Sequence, residues 1–138
     1  MFDKDMQKSF ENALQKLDES KHILLVSPEN PDIDSISCVC AFRAFLRERL
    51  GTRVKIRAYC VDSLVSLKKN TLFSFIEGGN SVWKTLPLWR PDCIVIFDYG
   101  NIERARLPQK YDGIAIIGFD HHPRMGPAPD VEVVDENL

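Results

Sequence analysis

Three short runs of unbroken apolar residues constrain this chain most. They are HILLVS (His22 to Ser27), the centre of DCIVIFD (Asp92 to Asp98) and IAIIGF (Ile114 to Phe119). Each is too short for a buried helix. Each also lacks the alternation of a strand with one wet face, so each reads as a strand covered on both sides. Helical patterns stand before and after the first of them. Phe2, Met6, Phe10, Ala13, Leu14 and Leu17 recur at three- and four-residue steps, which predicts an amphipathic helix over Phe2 to Leu17. A second helix is expected from Ser35, with Ser35 as its cap and Gly51 as its stop. Its apolar residues, Ile36 to Leu50, run almost all the way round, as in a well-buried helix.

The remaining segments are weaker. RVKIRAYCV (Arg53 to Val61) alternates charged and apolar residues, as expected of a strand nearer the sheet edge. Asp62 to Trp89 suggests short helical pieces, the turn EGGN and a loop. GNIERARLPQKYDG fits a short helix and loop ending at Gly113, and VEVVD (Val131 to Asp135) is a last short strand. Buried strands alternating with helices give an α/β fold, a mostly parallel sheet with helices on both faces. One domain is expected over residues 1–138, an N-terminal helix to about residue 20 and an α/β core from residue 21.

Composition removes some functions. The 138 residues carry a formal net charge of −2, which argues against a coat for duplex nucleic acid, since that needs a basic face. A small phosphorylated ligand in a pocket is not excluded. No apolar run approaches the ~18 residues of a membrane span, and MFDKDMQKSF is too polar for a secretory signal. Cys38, Cys40, Cys60 and Cys93 lie in apolar contexts without a Cys-x-x-Cys pair, so buried thiols in a reducing, cytoplasmic setting are expected.

In open parallel sheets, ligands bind beyond the carboxyl ends of the strands. The residues just past each buried run are therefore the candidates for chemistry. Behind the first run stands PENPDID, with Asp32 and Asp34; behind the second, Asp98; behind the third, DHH, Asp120 to His122. An Asp-x-Asp loop alone is commonly a solvated turn or a cap, and an aspartate ending a strand often caps the next helix. Asp-His-His behind a buried strand is rarer, and all three at one edge favour a site. If the first loop is extended, Asp32 and Asp34 point to opposite sides and serve different partners. Mixed carboxylate and imidazole donors suit manganese, with magnesium, cobalt or zinc as alternatives. The N-terminus of the second helix adds amide groups that attract anions. Arg104, Arg106 and Arg124 lie close enough to these segments to face a phosphate, and Tyr99 or Phe119 to stack on a base, although surface arginines and core aromatics are commoner.

The segments NPDIDSIS, IVIFDYGNIERAR and IIGFDHHPRMG resemble the first three motifs of the DHH phosphoesterase superfamily. That superfamily includes RecJ-type nucleases, family II pyrophosphatases, and stand-alone oligoribonuclease/pAp phosphatases and cyclic-dinucleotide phosphodiesterases; motif order and spacing fit the stand-alone group best. The resemblance runs from about His22 to Leu138. It implies a hydrolase acting on phosphate esters of short oligonucleotides, pAp or cyclic dinucleotides through water activated by two Mn2+ ions, with Mg2+ or Co2+ as alternatives. Asp32 would bind one ion, Asp34 the other, Asp98 would bridge them and His121 would complete the second. His122 would contact the scissile phosphate, Asp120 would orient a histidine, and Arg104 and Arg124 are candidate phosphate contacts. Expected partners are a small nucleotide or short single strand, with no membrane and a homodimer possible.

The sequence departs from the family pattern in two places. The opening motif usually begins with a histidine three residues before its proline, where this chain has Pro28; Ile33 replaces the small residue between the aspartates. Glu29 is the nearest charged group. The family also continues into a fourth motif with another metal-binding aspartate and a C-terminal DHHA1-type domain, both absent from these 138 residues. Asp135 and Glu136 are acids near the end that could stand in for that aspartate. The alternative reading is thus a single-metal or non-catalytic nucleotide-binding relative, with metal affinity below that of a complete site.

Overall fold

The computed structural model describes residues 4–62, 64, 67, 73–74, 76, 81–120 and 126–134. Helix α1 (Lys4–Asp18) leads into strand β1 (His22–Ser27), then helix α2 (Ile33–Leu50), β2 (Lys55–Cys60), β3 (Cys93–Phe97), β4 (Ala115–Asp120) and β5 (Val131–Val134). The five strands form one sheet in the order β2-β1-β3-β4-β5, and every pairing is parallel.

The central strands are apolar over most of their length because both faces are covered. Ile23 and Leu25 of β1 enter one core with Val95 and Phe97 of β3, Ala13 and Leu17 of α1, and Val39 and Leu46 of α2. The intervening Leu24 and Val26 enter a second core with Ile94, Ile96, Tyr59, Tyr99 and Tyr111. Alternate residues of one strand thus serve opposite faces, which favours apolar residues at both parities, with the buried Ser27 at the end of β1 as an exception. Among the described residues, both α-helices lie over the first face. The helical cover of the second takes the form of two short 3₁₀ turns, Ile102–Ala105 and Gln109–Tyr111.

Two details differ from the sequence expectation. α2 starts at Ile33, two residues earlier than expected, and Asp32 caps it: Asp32 has extended backbone and its Oδ1 accepts from the Ser35 amide at 2.8 Å. An acid side chain three residues before a helical N–H outcompetes the serine at the next candidate position because it brings a full charge to the positive helix end. Of the four cysteines, Cys40, Cys60 and Cys93 are buried, but Cys38 on α2 is exposed.

The strand expected to lie near the edge, β2, is the edge strand. The carboxyl end of its outer side is bridged: the Cys60 amide donates to the Trp83 carbonyl at 2.9 Å, and the Trp83 amide to the Ala58 carbonyl at 2.8 Å. Such a bridge occupies the pairing edge at these residues. α1 packs on β5, sets Phe10 edge-on to Phe119, and is tied to α2 by paired Asp18–Arg49 hydrogen bonds of 2.8 Å. Among the described residues, no helix is long and apolar enough to cross a membrane.

Candidate functional site

The strand order fixes where a site belongs. From β1 the chain moves to β2 on one side; from β3 it moves to β4 and β5 on the other. The order reverses between β1 and β3, and beyond the carboxyl ends of the strands at such a point is where open parallel sheets bind ligands. Asp32 lies beyond the end of β1, Asp98 directly after β3, and Asp120 is the last residue of β4.

Asp32 and Asp98 meet at Ser35. The Ser35 hydroxyl lies 2.9 Å from Asp32 Oδ1 and 3.1 Å from Asp98 Oδ2, and the residue is almost wholly buried. A hydroxyl has one hydrogen, so it donates to only one carboxylate at a time. The other oxygen faces it lone pair to lone pair. The Ser35 amide holds the Asp32 carboxyl below the usual carboxylate range, which keeps it charged. Asp34 sits in the first turn of α2 and is exposed. It is therefore not part of an extended loop, and the alternation expected for Asp32 and Asp34 does not apply. Asp32 is the cap and Asp34 a position in the first helical turn. Cys38, one turn further along α2, senses the cluster. Desolvation raises its thiol pKa first, and the charges of Asp98, Asp34 and Asp32 raise it further.

Asp98 adopts a left-handed backbone, φ 53°. A non-glycine residue accepts that conformation only where its surroundings impose it, at a cost of roughly 1 kcal/mol. Here the surroundings are explicit. The Asp98 amide donates to the Phe119 carbonyl at 2.9 Å, extending the β3–β4 ladder past the strand. Two residues on, the Gly100 amide donates to Asp120 Oδ2 at 2.7 Å, with Gly100 itself at φ 63°. Asp120 is buried and spends this oxygen on the turn that carries Asp98.

Arg104 joins the loops that follow β1 and β3. Its guanidinium donates to the Tyr99 carbonyl at 3.1 Å and to the Glu29 carbonyl at 3.0 Å, while the Glu29 amide donates back to the Arg104 carbonyl at 2.8 Å. Glu29 also lies 3.5 Å from Arg106 Nε. The first loop is held on its other side by Asp62, which accepts from the Asn30 amide at 2.6 Å, and by the Cys60 thiol, which donates to the Pro28 carbonyl at 3.7 Å. Tyr99 is fully buried, and Phe119 packs between Phe42 and Phe97. Both are core aromatics. His22 lies at the opposite, amino end of β1, its ring 5.5 Å from that of Trp89.

His121, His122 and Arg124 lie outside the described residues, as do Asp135 and Glu136. Among the described residues, no group of three or more His, Cys, Asp and Glu side chains forms a metal-holding set. The Asp32 and Asp98 carboxylates gathered at Ser35 nevertheless offer the oxygen donors that a hard divalent cation takes. The aspartates are predictable at this edge from the sequence, but Ser35 as their meeting point is not, because serine near a helix start reads first as a cap.

No protein-family model and no curated protein matches the chain. Solved structures do. A crystal structure of an exopolyphosphatase-related protein from Bacteroides fragilis superposes on it with a TM-score of 0.70, at 14% sequence identity, over 96% of this chain. The chain spans 40% of the length of that protein. At this identity the shared property is the fold.

Proposed function

We propose that this chain is the metal-site domain of a DHH-type phosphoesterase acting on short oligonucleotides, pAp or cyclic dinucleotides. The observation that carries the reading is the convergence of Asp32 and Asp98 on one buried hydroxyl at the switch point of a parallel sheet. Likeness in fold to a protein described as exopolyphosphatase-related supports phosphate-ester chemistry.

In this reading Asp32 and Asp98 would hold one divalent cation, Mn2+ by preference, and Asp34, Asp98 and His121 would hold a second; when bound, such cations would neutralise phosphate oxygens and make a water more acidic. The chain's own part is positioning. Ser35 keeps the Asp32 and Asp98 carboxylates together, Asp120 and the Phe119 carbonyl pin the Asp98 turn, and Arg104 keeps the two loops at a fixed spacing. By the family resemblance, His122 and Arg124 would be the residues to contact the phosphate. The substrate is a small nucleotide or short single strand, and the setting is cytoplasmic.

A second reading has its own observation. Pro28 stands where the motif histidine belongs, and neighbouring Glu29 is 3.5 Å from Arg106. That favours one cation over two and a nucleotide-binding role without turnover. Hydrolysis of a short RNA dinucleotide, pAp and a cyclic dinucleotide with Mn2+ separates the two. The enzyme reading expects turnover that Asp98→Asn abolishes. Binding of the same nucleotides without turnover favours the second reading, and turnover unchanged by Asp98→Asn refutes the first.

A further inference from the structure

The Asp98 turn is anchored by a contact that reaches across the sheet to its last strand. Tyr99 is fully buried, and its ring crosses β4 at Gly118. A Cβ at Gly118 would stand 2.5 Å from Tyr99 Oη and 2.8 Å from two ring carbons, distances no side chain tolerates. Gly118 is in a strand and has no unusual φ, so its lack of a side chain serves this crossing and not a turn. Past Gly118 the Tyr99 hydroxyl donates to Glu132 Oε2 on β5 at 3.0 Å. The Tyr99 carbonyl, facing the other way, accepts from the Asn101 amide at 2.6 Å and from Arg104. The residue next to Asp98 is thus fixed at both ends of its own length.

We infer that Tyr99 is a positioning residue for the candidate cation site, with Gly118 as its seat and Glu132 as its latch; this rests on the metal-site reading above. The coupling is mechanical. Asp98 holds a left-handed backbone that relaxes unless both neighbours are restrained. The preceding residue, Phe97, is in the β3 ladder. The next residue is restrained by its side chain, over Gly118 and onto Glu132. Releasing that side chain lets the peptide between Asp98 and Tyr99 rotate, and the Asp98 carboxylate moves off the Ser35 hydroxyl. β5, with all four residues only partly buried, becomes a support of the site through one carboxylate.

The test compares wild type, Tyr99→Phe, Glu132→Ala, Glu132→Gln, the Tyr99→Phe/Glu132→Ala double variant and Leu17→Ala. Leu17→Ala is a destabilised control in the α1 core, away from the site. Each is titrated with Mn2+ by electron paramagnetic resonance, and the metal-free side-chain 13C resonance of Asp98 is recorded. Groups bonded directly to a metal ligand change affinity by ~10–100-fold, so a group one step further out should change it about fivefold. Tyr99→Phe and Glu132→Ala should each weaken binding by that factor, and the double variant by no more, because both remove the same hydrogen bond. Glu132→Gln, whose amide oxygen still accepts, should stay within about twofold. The Asp98 resonance should move in Tyr99→Phe and Glu132→Ala and stay in Leu17→Ala. Equal Mn2+ affinity in Tyr99→Phe and wild type overturns the inference, as does a loss that tracks melting temperature with Leu17→Ala included. If wild type binds no Mn2+, the metal-site reading fails; the Asp98 resonance then still decides whether Tyr99 positions that carboxylate.

Discussion

Asp32 caps α2 and, in the reading proposed above, would also bind a cation; two substitutions pull these roles apart. As a helix cap it accepts from the Ser35 amide at 2.8 Å and lies 2.9 Å from the Ser35 hydroxyl. As a cation ligand it must carry charge. Asp32→Ala removes both roles. Losing such a cap costs ~1 kcal/mol, with an upper range near ~2 kcal/mol. At about 2.1 cal/mol/K of unfolding entropy per residue, ~1 kcal/mol lowers the melting temperature of a chain this size by about 3 °C. Asp32→Asn keeps an equally good cap oxygen and should melt within ~1 °C of wild type in the absence of metal. Mn2+ at about a hundred times its dissociation constant adds ~2.7 kcal/mol to the native state, a rise of about 9 °C in wild type. Both variants should lose the part of that rise that comes from the ion Asp32 would bind. Differential scanning calorimetry with EDTA and then with Mn2+ gives both numbers. A capping role is refuted if Asp32→Asn melts as low as Asp32→Ala in EDTA. A ligand role is refuted if Asp32→Asn is stabilised by Mn2+ as much as wild type.

The same geometry sets other outcomes. Gly118→Ala forces Tyr99 off its seat in a packed core, and such overpacking costs roughly 1–3 kcal/mol; urea unfolding showing less than ~0.5 kcal/mol contradicts the contact. Arg104→Lys offers a single point of contact where a fork now spans two carbonyls, so amide exchange at Glu29 should quicken while the strands stay protected. Acid should destabilise the fold through Asp32 and Asp18, whose folded carboxyls are held below their ordinary value near 3.8, by the Ser35 amide and by the Arg49 hydrogen bond respectively. Unfolded chains therefore bind more protons in that window, so this stability is complete above about pH 5 and is lost as pH falls through the depressed values. Asp18→Asn should flatten part of that fall in an acid titration monitored by circular dichroism.

Much of the scaffold is legible because burial on both faces writes itself into sequence. HILLVS coincides with β1, and CIVIF with β3. Their ends carry the aspartates, so the edge was legible too. Strand order was not. Nothing local in KIRAYC or VEVV tells which neighbour each pairs with, since that depends on which way a crossover turns. The contacts that shape the site are equally silent in sequence. Ser35 reaches Asp98 across 63 positions, and Tyr99 reaches Glu132 across 33. Gly118 reads as an ordinary strand residue until the ring that lies on it is seen. Cys38 misled for a related reason: an almost all-round apolar helix hides which face meets the sheet.

The most direct measurement is an anomalous difference map at the manganese edge from crystals soaked in Mn2+. A peak is expected within coordination distance of both the Asp32 and Asp98 carboxylates, with the two drawn onto the ion as well as onto the Ser35 hydroxyl. A map with no peak there, and the two carboxylates still gathered on Ser35, would contradict a cation site.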